Sequence, residues 1–275
     1  MTLASLIKTA QDTLDRGEYQ TSVSQWRSAL VLAEASDSIA ALDFAGVLNG
    51  LGLACKGCGE FDEGERAYRR ALALLETALG AGAPKIAGEV ATIFHNLGGL
   101  EHARGRCAEG EQLARRGLAI REKLLGPDHV DVAKDIAALA ALLDGQGKFD
   151  ESEPLHRRAL AIFEREFGPG HLEIGIALSN LAALEASQGR WDIAARHYQR
   201  ALEIKERHLG QTHPSVAWTL NNMAVLKRTQ GQPAAAEEYF ARALAILELA
   251  LGAEHRRVVT CRANLQSVRA TSGPP

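Results

Sequence analysis

"LGQTHPSVAWTLNNMAVLKRTQGQPAAAEEYFARALAILELALG", residues 209–252, decides the fold, because the chain repeats this stretch as a unit. Gly231 divides it into two apolar patterns: Met223 and Ala224 stand eight and seven residues before the glycine, and Phe240, Ala243 and Leu244 stand nine, twelve and thirteen after it. Apolar residues spaced by three and four on both sides of a glycine predict two amphipathic helices joined by a short turn. The unit is therefore a helical hairpin.

Working outward, the same glycine recurs at 17, 59, 105, 147 and 189, at intervals of 42 except for one of 46 between Gly59 and Gly105. A period of this size marks stacked units whose core grows with each copy. Extra residues in "LGAGAPKIAGEVA" (79–91) account for the longer interval, a change that a surface connection absorbs cheaply. Thirteen residues after each glycine stands Leu30, Leu72, Leu118, Leu160, Leu202 or Leu244, preceded by a small residue: Ala29, Ala71, Gly117, Ala159, Ala201 or Ala243. Small beside large predicts closely packed helices.

Histidines at 129, 171, 213 and 255 keep the same 42-residue spacing, each three residues after a glycine that follows Leu or Phe. In "GQTHPSVA" Pro214 suits the first helical position, and Thr212 or His213 can cap it. In "GPDHVDVA" Asp128 and Asp131 place carboxylates at the positive end of a helix dipole. A shared metal is excluded by distance: equivalent positions two helices apart lie roughly 20 Å from one another, whereas zinc–nitrogen bonds are about 2 Å long. The histidines mark helix entries.

With the small residues, the glycine turn, the aromatics near the second helix, "TLNNMA", "RALAI" and "LG…HP" all quoted, the chain resembles the tetratricopeptide repeat family, in its 42-residue kinesin-light-chain-like form. The resemblance runs from about residue 1 to 270 and implies an all-α, right-handed superhelical solenoid of antiparallel helix pairs. Six pairs plus a C-terminal capping helix are expected, as one solenoid over 1–275 with units near 1–36, 37–80, 81–126, 127–168, 169–210, 211–252 and a cap at 253–272. In the first copy Thr9 replaces the usual leucine, and in the cap Val258, Asn264 and Leu265 align with Val216, Asn222 and Met223.

A formal net charge of −3 gives no global positive field for nucleic acid or anionic lipid. Lys8, Gln11 and Asp12 interrupt the N-terminus too early for a signal peptide, and no run reaches membrane-spanning length. A soluble, cytoplasmic protein is expected. Four cysteines, at 55, 58, 107 and 261, are too few and too uneven for a disulfide framework. "CKGC" (55–58) lacks a second pair to complete four metal ligands, so it reads as buried thiols, and no metal or cofactor is expected. Arg70, Arg116, Arg158, Arg200 and Arg242, answered by glutamates at 76, 122, 164, 206 and 248, read as a solvated outer face. No phosphate loop, nucleophile elbow or His-Glu-x-x-His is present, so no enzyme is expected.

Function then falls to the inner wall. By the resemblance, first-helix positions about 13, 10, 9, 6, 3 and 2 residues before each glycine face inward, and the family generally holds extended peptides there. Those positions carry Asn49, His95, Asn96, His102, Lys134, Asn180, Trp218, Asn221, Asn222 and Arg228, with Asn264 in the cap. Asparagine amides both donate and accept, so a ladder of Asn96, Asn180, Asn222 and Asn264 suits a peptide backbone. Ala137, Ala138 and Ala141 leave a small apolar floor between them. The reading is a non-enzymatic scaffold that takes a peptide segment or helix of a protein partner in its concave groove. Alternatives are a self-assembling oligomer, or a regulatory module of a larger complex.

Overall fold

The computed structural model describes residues 2–36, 39–79 and 84–272. Among the described residues the chain forms thirteen helices and no strand, in two compact units, 1–162 and 163–275. The first contains α1 (Leu3–Asp15), α2 (Tyr19–Glu34), α3 (Ala41–Cys58), α4 (Phe61–Leu79), α5 (Pro84–Arg104), α6 (Cys107–Leu125) and α7 (Val130–Asp144). The division falls inside α8 (Phe149–Phe167), and the second unit continues with α9 (Leu172–Ser187), α10 (Trp191–Leu209), α11 (Pro214–Thr229), α12 (Pro233–Leu251) and α13 (Arg256–Ser272). Within each unit successive helices pack on one another, and each odd helix also meets the next odd one: α1 on α3, α3 on α5 and α5 on α7 in the first, α9 on α11 in the second. Within each unit the first helices of the hairpins thus build a wall. The insertion read at 79–91 has its centre at 80–83, outside the described residues, as do 37 and 38 beside the first unit boundary.

The recurrent glycines make the turns. All six take φ between 70 and 88°, a region that costs a side chain but not glycine. The next residue then returns its N–H to a carbonyl five residues earlier, as Glu60 does to Cys55 at 2.9 Å and Arg190 to Glu185 at 2.8 Å. That bond closes the helix and reverses the chain. The histidines open the following helix: Nδ1 of His129, His171, His213 and His255 accepts from the backbone N–H two residues on, at 3.1 to 3.3 Å. Pro214 occupies the first turn behind His213.

Packing explains the small residues. Ala29, Ala71, Ala159, Ala201 and Ala243 are completely buried. At Gly117 a Cβ would sit 3.0 Å from Cβ of Phe94, so α5 and α6 approach closely only because it is absent. On the outer helices the arginines do more than solvate a face. Arg70 reaches Glu34, Arg116 Glu76 and Arg158 Glu122, and in the second unit Arg200 reaches Glu164 and Arg242 Glu206. Each pair joins one hairpin to the next, and being largely exposed each contributes at most about 1 kcal/mol.

Candidate functional site

In the first unit the wall is formed by α3, α5 and α7. Asn96 is buried, and its Nδ2 donates to Oδ1 of Asn49 at 2.7 Å. This amide pair ties α5 to α3, so part of the expected ladder is spent between helices. His95 Nδ1 lies 2.8 Å from Oδ1 of Asp135, whose other oxygen accepts from Arg121 Nε at 2.6 Å. Arg121 also donates to Thr92 Oγ1 at 3.1 Å. Asp135 is buried while His95 remains about one-third exposed, so the imidazole is held by one edge and presents the other to the wall. His102 is exposed, and Lys134 turns back to Asp131 at 3.2 Å.

In the second unit the wall is formed by α9, α11 and α13. Asn222 is exposed and shares a hydrogen bond with the Tyr198 hydroxyl, which burial drives well above the ordinary range for a phenol. Around this pair lies a cavity of about 310 Å³ whose lining includes Ala183, Ala186, Trp191, Val225 and Thr229. Asn180, one helical turn before Ala183, is half-buried. Asn221 is half-buried on the same helix as Asn222. Arg228 Nη1 donates to Oδ1 of Asn264 at 3.3 Å, with its guanidinium 6.0 Å above the Phe240 ring. Trp218 lies under the Arg257 guanidinium at 4.7 Å, and its indole N–H is buried with no acceptor among the described residues.

The register behind these contacts is regular. The residue nine before one turn glycine faces the residue nine after the preceding glycine: Asn222 meets Tyr198, and a Cβ on Gly50 would lie 2.4 Å from the Trp26 ring. A second register carries charge. Lys205 stands where Arg121 stands two repeats earlier, and its Nζ donates to Thr219 Oγ1 at 2.9 Å; Thr219 in turn lies 3.2 Å from Ser179 Oγ. Thr219 and Ser179 hold the positions of Asp135 and His95. Lys205 is buried with no carboxylate partner among the described residues, and burial brings its ammonium down to about 8. Sequence reasoning named His95 but missed Asp135, Arg121, Lys205 and Trp191. The signal was present: a charged residue at 121, 135 or 205 interrupts positions filled elsewhere by Leu75, Ile93 or Leu247.

Hairpins closed by left-handed glycines, stacked through small residues and walled by their first helices, define an all-α repeat protein built for interaction. Tetratricopeptide repeat models match residues 44–84, 89–165, 135–207, 173–249 and 215–265, and the chain belongs to the tetratricopeptide repeat family. Solved structures agree on the fold. BtubC (BKLC) from P. vanneervenii is 22% identical with a TM-score of 0.57, over 100% of this chain and 94% of that one. A Podosopora anserina kinesin light chain with nearly identical TPR-like repeats is 19% identical with a TM-score of 0.54, over 77% and 98%. A Rap protein complexed with Competence and Sporulation Factor reaches a TM-score of 0.64 at 12% identity, over 97% and 74%. No curated protein matches the chain. The fold is that of a protein-interaction scaffold, and no described helix is long and apolar enough to cross a membrane.

Proposed function

We propose that the chain is a non-enzymatic scaffold whose second unit holds an extended segment of a partner protein along α9 and α11. The observation that carries this reading is the cavity bounded by Asn222, Tyr198 and Trp191. Its alanines and valine suit one apolar side chain of the segment, and the exposed Trp191 indole can cover that side chain. Asn222 and Asn180 then supply amides to the backbone on either side, and Trp218, Asn221, Arg228 and Asn264 continue the wall. In the first unit His95, His102 and Lys134 offer a separate contact surface, with His95 as its most directional group, while the Asn49–Asn96 pair braces the helices behind it. A neighbour of the same fold is complexed with a factor, which supports a ligand-holding role.

The test is selection from a random peptide library against the wild-type chain, followed by calorimetry on Asn180→Ala/Asn222→Ala and on Trp191→Ala. Each variant loses about 1–3 kcal/mol of affinity at unchanged helicity. A library that yields no binder, or peptides that bind both variants as tightly as the parent, removes the groove from the account.

A further inference from the structure

The turn between α3 and α4 brings together groups that the wall does not use. Cys55 lies in the last turn of α3, Glu60 follows Gly59, and Glu63 lies in the first turn of α4. One donor atom from each of these three residues lies within 4.8 Å of the other two. The helices close this tightly because α4 carries Gly64 opposite Cys55: a Cβ on Gly64 would stand 3.3 Å from the Cys55 Cβ and 3.4 Å from the Gly52 carbonyl oxygen.

The three donors are unequal in their present partners. Glu60 and Glu63 each meet Nη2 of Arg27 on α2 at 2.5 Å, so a guanidinium already holds the place of a cation. The Cys55 thiol is completely buried, makes no hydrogen bond among the described residues, and is directed at the same two carboxylates. Burial, with Glu63 next, pushes this thiol up to about 12. Cys58 is also buried; its Sγ donates to the Cys55 carbonyl oxygen at 3.5 Å and also meets Glu60.

We propose that Cys55, Glu60 and Glu63 form a binding site for a zinc-class divalent cation, which Arg27 occupies by proxy when metal is absent. Zinc accepts thiolate sulfur at about 2.3 Å and carboxylate oxygen at about 2.0–2.2 Å, so tetrahedral ligand atoms stand roughly 3.5 Å apart. Reaching that spacing needs only side-chain rotation at a turn whose backbone is already fixed. Binding breaks the two ion pairs of Arg27, releases the Cys55 proton to solvent and forms one metal–sulfur and two metal–oxygen bonds. Water completes the fourth position.

Charge is conserved in the exchange. Two carboxylates with one guanidinium carry one net negative charge, as do two carboxylates, one thiolate and a dication. Arg27 is half-exposed, so it can swing into solvent and open the path. Purely oxygen-seeking ions such as magnesium gain nothing from the sulfur, whereas a thiolate favours zinc and its relatives.

The test uses Co²⁺ as the probe on the full reduced chain, with Zn²⁺ as competitor and magnesium as control. Cobalt produces a thiolate-to-metal charge-transfer band, zinc abolishes it and magnesium does not. Cys55→Ala removes the band. Glu63→Gln, which leaves the buried thiol and the core untouched, weakens binding by about tenfold or more. Arg27→Gln, by removing the competing cation, tightens it several-fold. Circular dichroism confirms that each variant is folded. The proposal is overturned by a wild-type chain without the band, by a band that survives Cys55→Ala, or by Arg27→Gln binding no more tightly than the parent.

Discussion

Lys205 gives a prediction whose sign runs against the usual effect of deleting a hydrogen bond. Its ammonium is buried between α10 and α11 with one neutral acceptor, Thr219 Oγ1 at 2.9 Å. Burial lowers its pKa from the ordinary 10.5 to about 8. At neutral pH the lysine is charged in both the folded and the unfolded chain, so the fold carries the whole burial cost, about 3 kcal/mol. Lys205→Met keeps the volume and length of the stem and removes the charge. The lost bond to Thr219 is worth about 1 kcal/mol. Thr219 keeps Ser215 O at 3.4 Å and Ser179 Oγ at 3.2 Å, so its hydroxyl is not stranded. The variant is therefore more stable than the parent by about 2 kcal/mol at neutral pH.

The pH dependence separates this account from simple repacking. Between about 8 and 10.5 the unfolded chain holds a proton on Lys205 that the folded chain has released, so parent stability rises with pH through that window. Above it both forms are neutral and the cost has vanished. Urea unfolding of parent and variant at a series of pH values shows the advantage of methionine fading from about pH 8 upward, other titrations cancelling in the difference. A variant less stable than the parent at neutral pH, or a constant difference across the window, refutes the reasoning.

Two further substitutions probe the charged contacts of the first unit. Asp135→Ala leaves the half-buried Arg121 without its carboxylate and His95 without its anchor, and costs about 3 kcal/mol by urea unfolding. Glu111 is held down to about 2, first by Lys148 and then by Gln146 and Arg115, with the Lys148 contact at 2.8 Å. Its folded value lies below the ordinary 4.5, so its contribution is complete above that pH and is lost as pH falls toward about 2; Glu111→Gln flattens this part of the acid-unfolding profile.

The hairpin architecture was legible because its determinants are local and periodic. A glycine at φ 70–88° and a histidine at a helix entry leave their mark at a fixed spacing, and each copy repeats the message. The wall was less legible because inward direction does not say what a side chain meets. Asn96 and Asn222 hold the same position in their copies, yet Asn96 is buried against Asn49 whereas Asn222 stands at the rim of a cavity. The difference comes from the preceding first helix, which offers the Asn49 amide in one place and Ser179 at the same position in the other. Trp191 was passed over because its position carries an aromatic in several copies and reads as core, although it is 41% exposed here. The metal-type cluster was hidden for a related reason. "CKGC" invites a search for a second cysteine pair, while the remaining donors, Glu60 and Glu63, follow within five residues and look like ordinary helix-start acids.

The two polar seams show how one register can serve different ends. His95, Asp135 and Arg121 in the first unit and Ser179, Thr219 and Lys205 in the second occupy identical positions. In the first the half-buried cation is matched by a buried carboxylate, and the excess bonding capacity fixes an imidazole at the wall. In the second the carboxylate is replaced by a hydroxyl, so the cation is left under-compensated and the wall residue is a buried serine with nothing to present. A matched seam yields a directional, rigid contact point, whereas an unmatched one weakens the core in exchange for no surface group. On the proposed function, recognition in the second unit rests mainly on the cavity beside Asn222, with Arg228 further along α11 tied to Asn264, while the first unit reads an acceptor or donor through His95. A segment bound by the second unit accordingly gains specificity from the size of one apolar side chain, and its affinity depends little on salt.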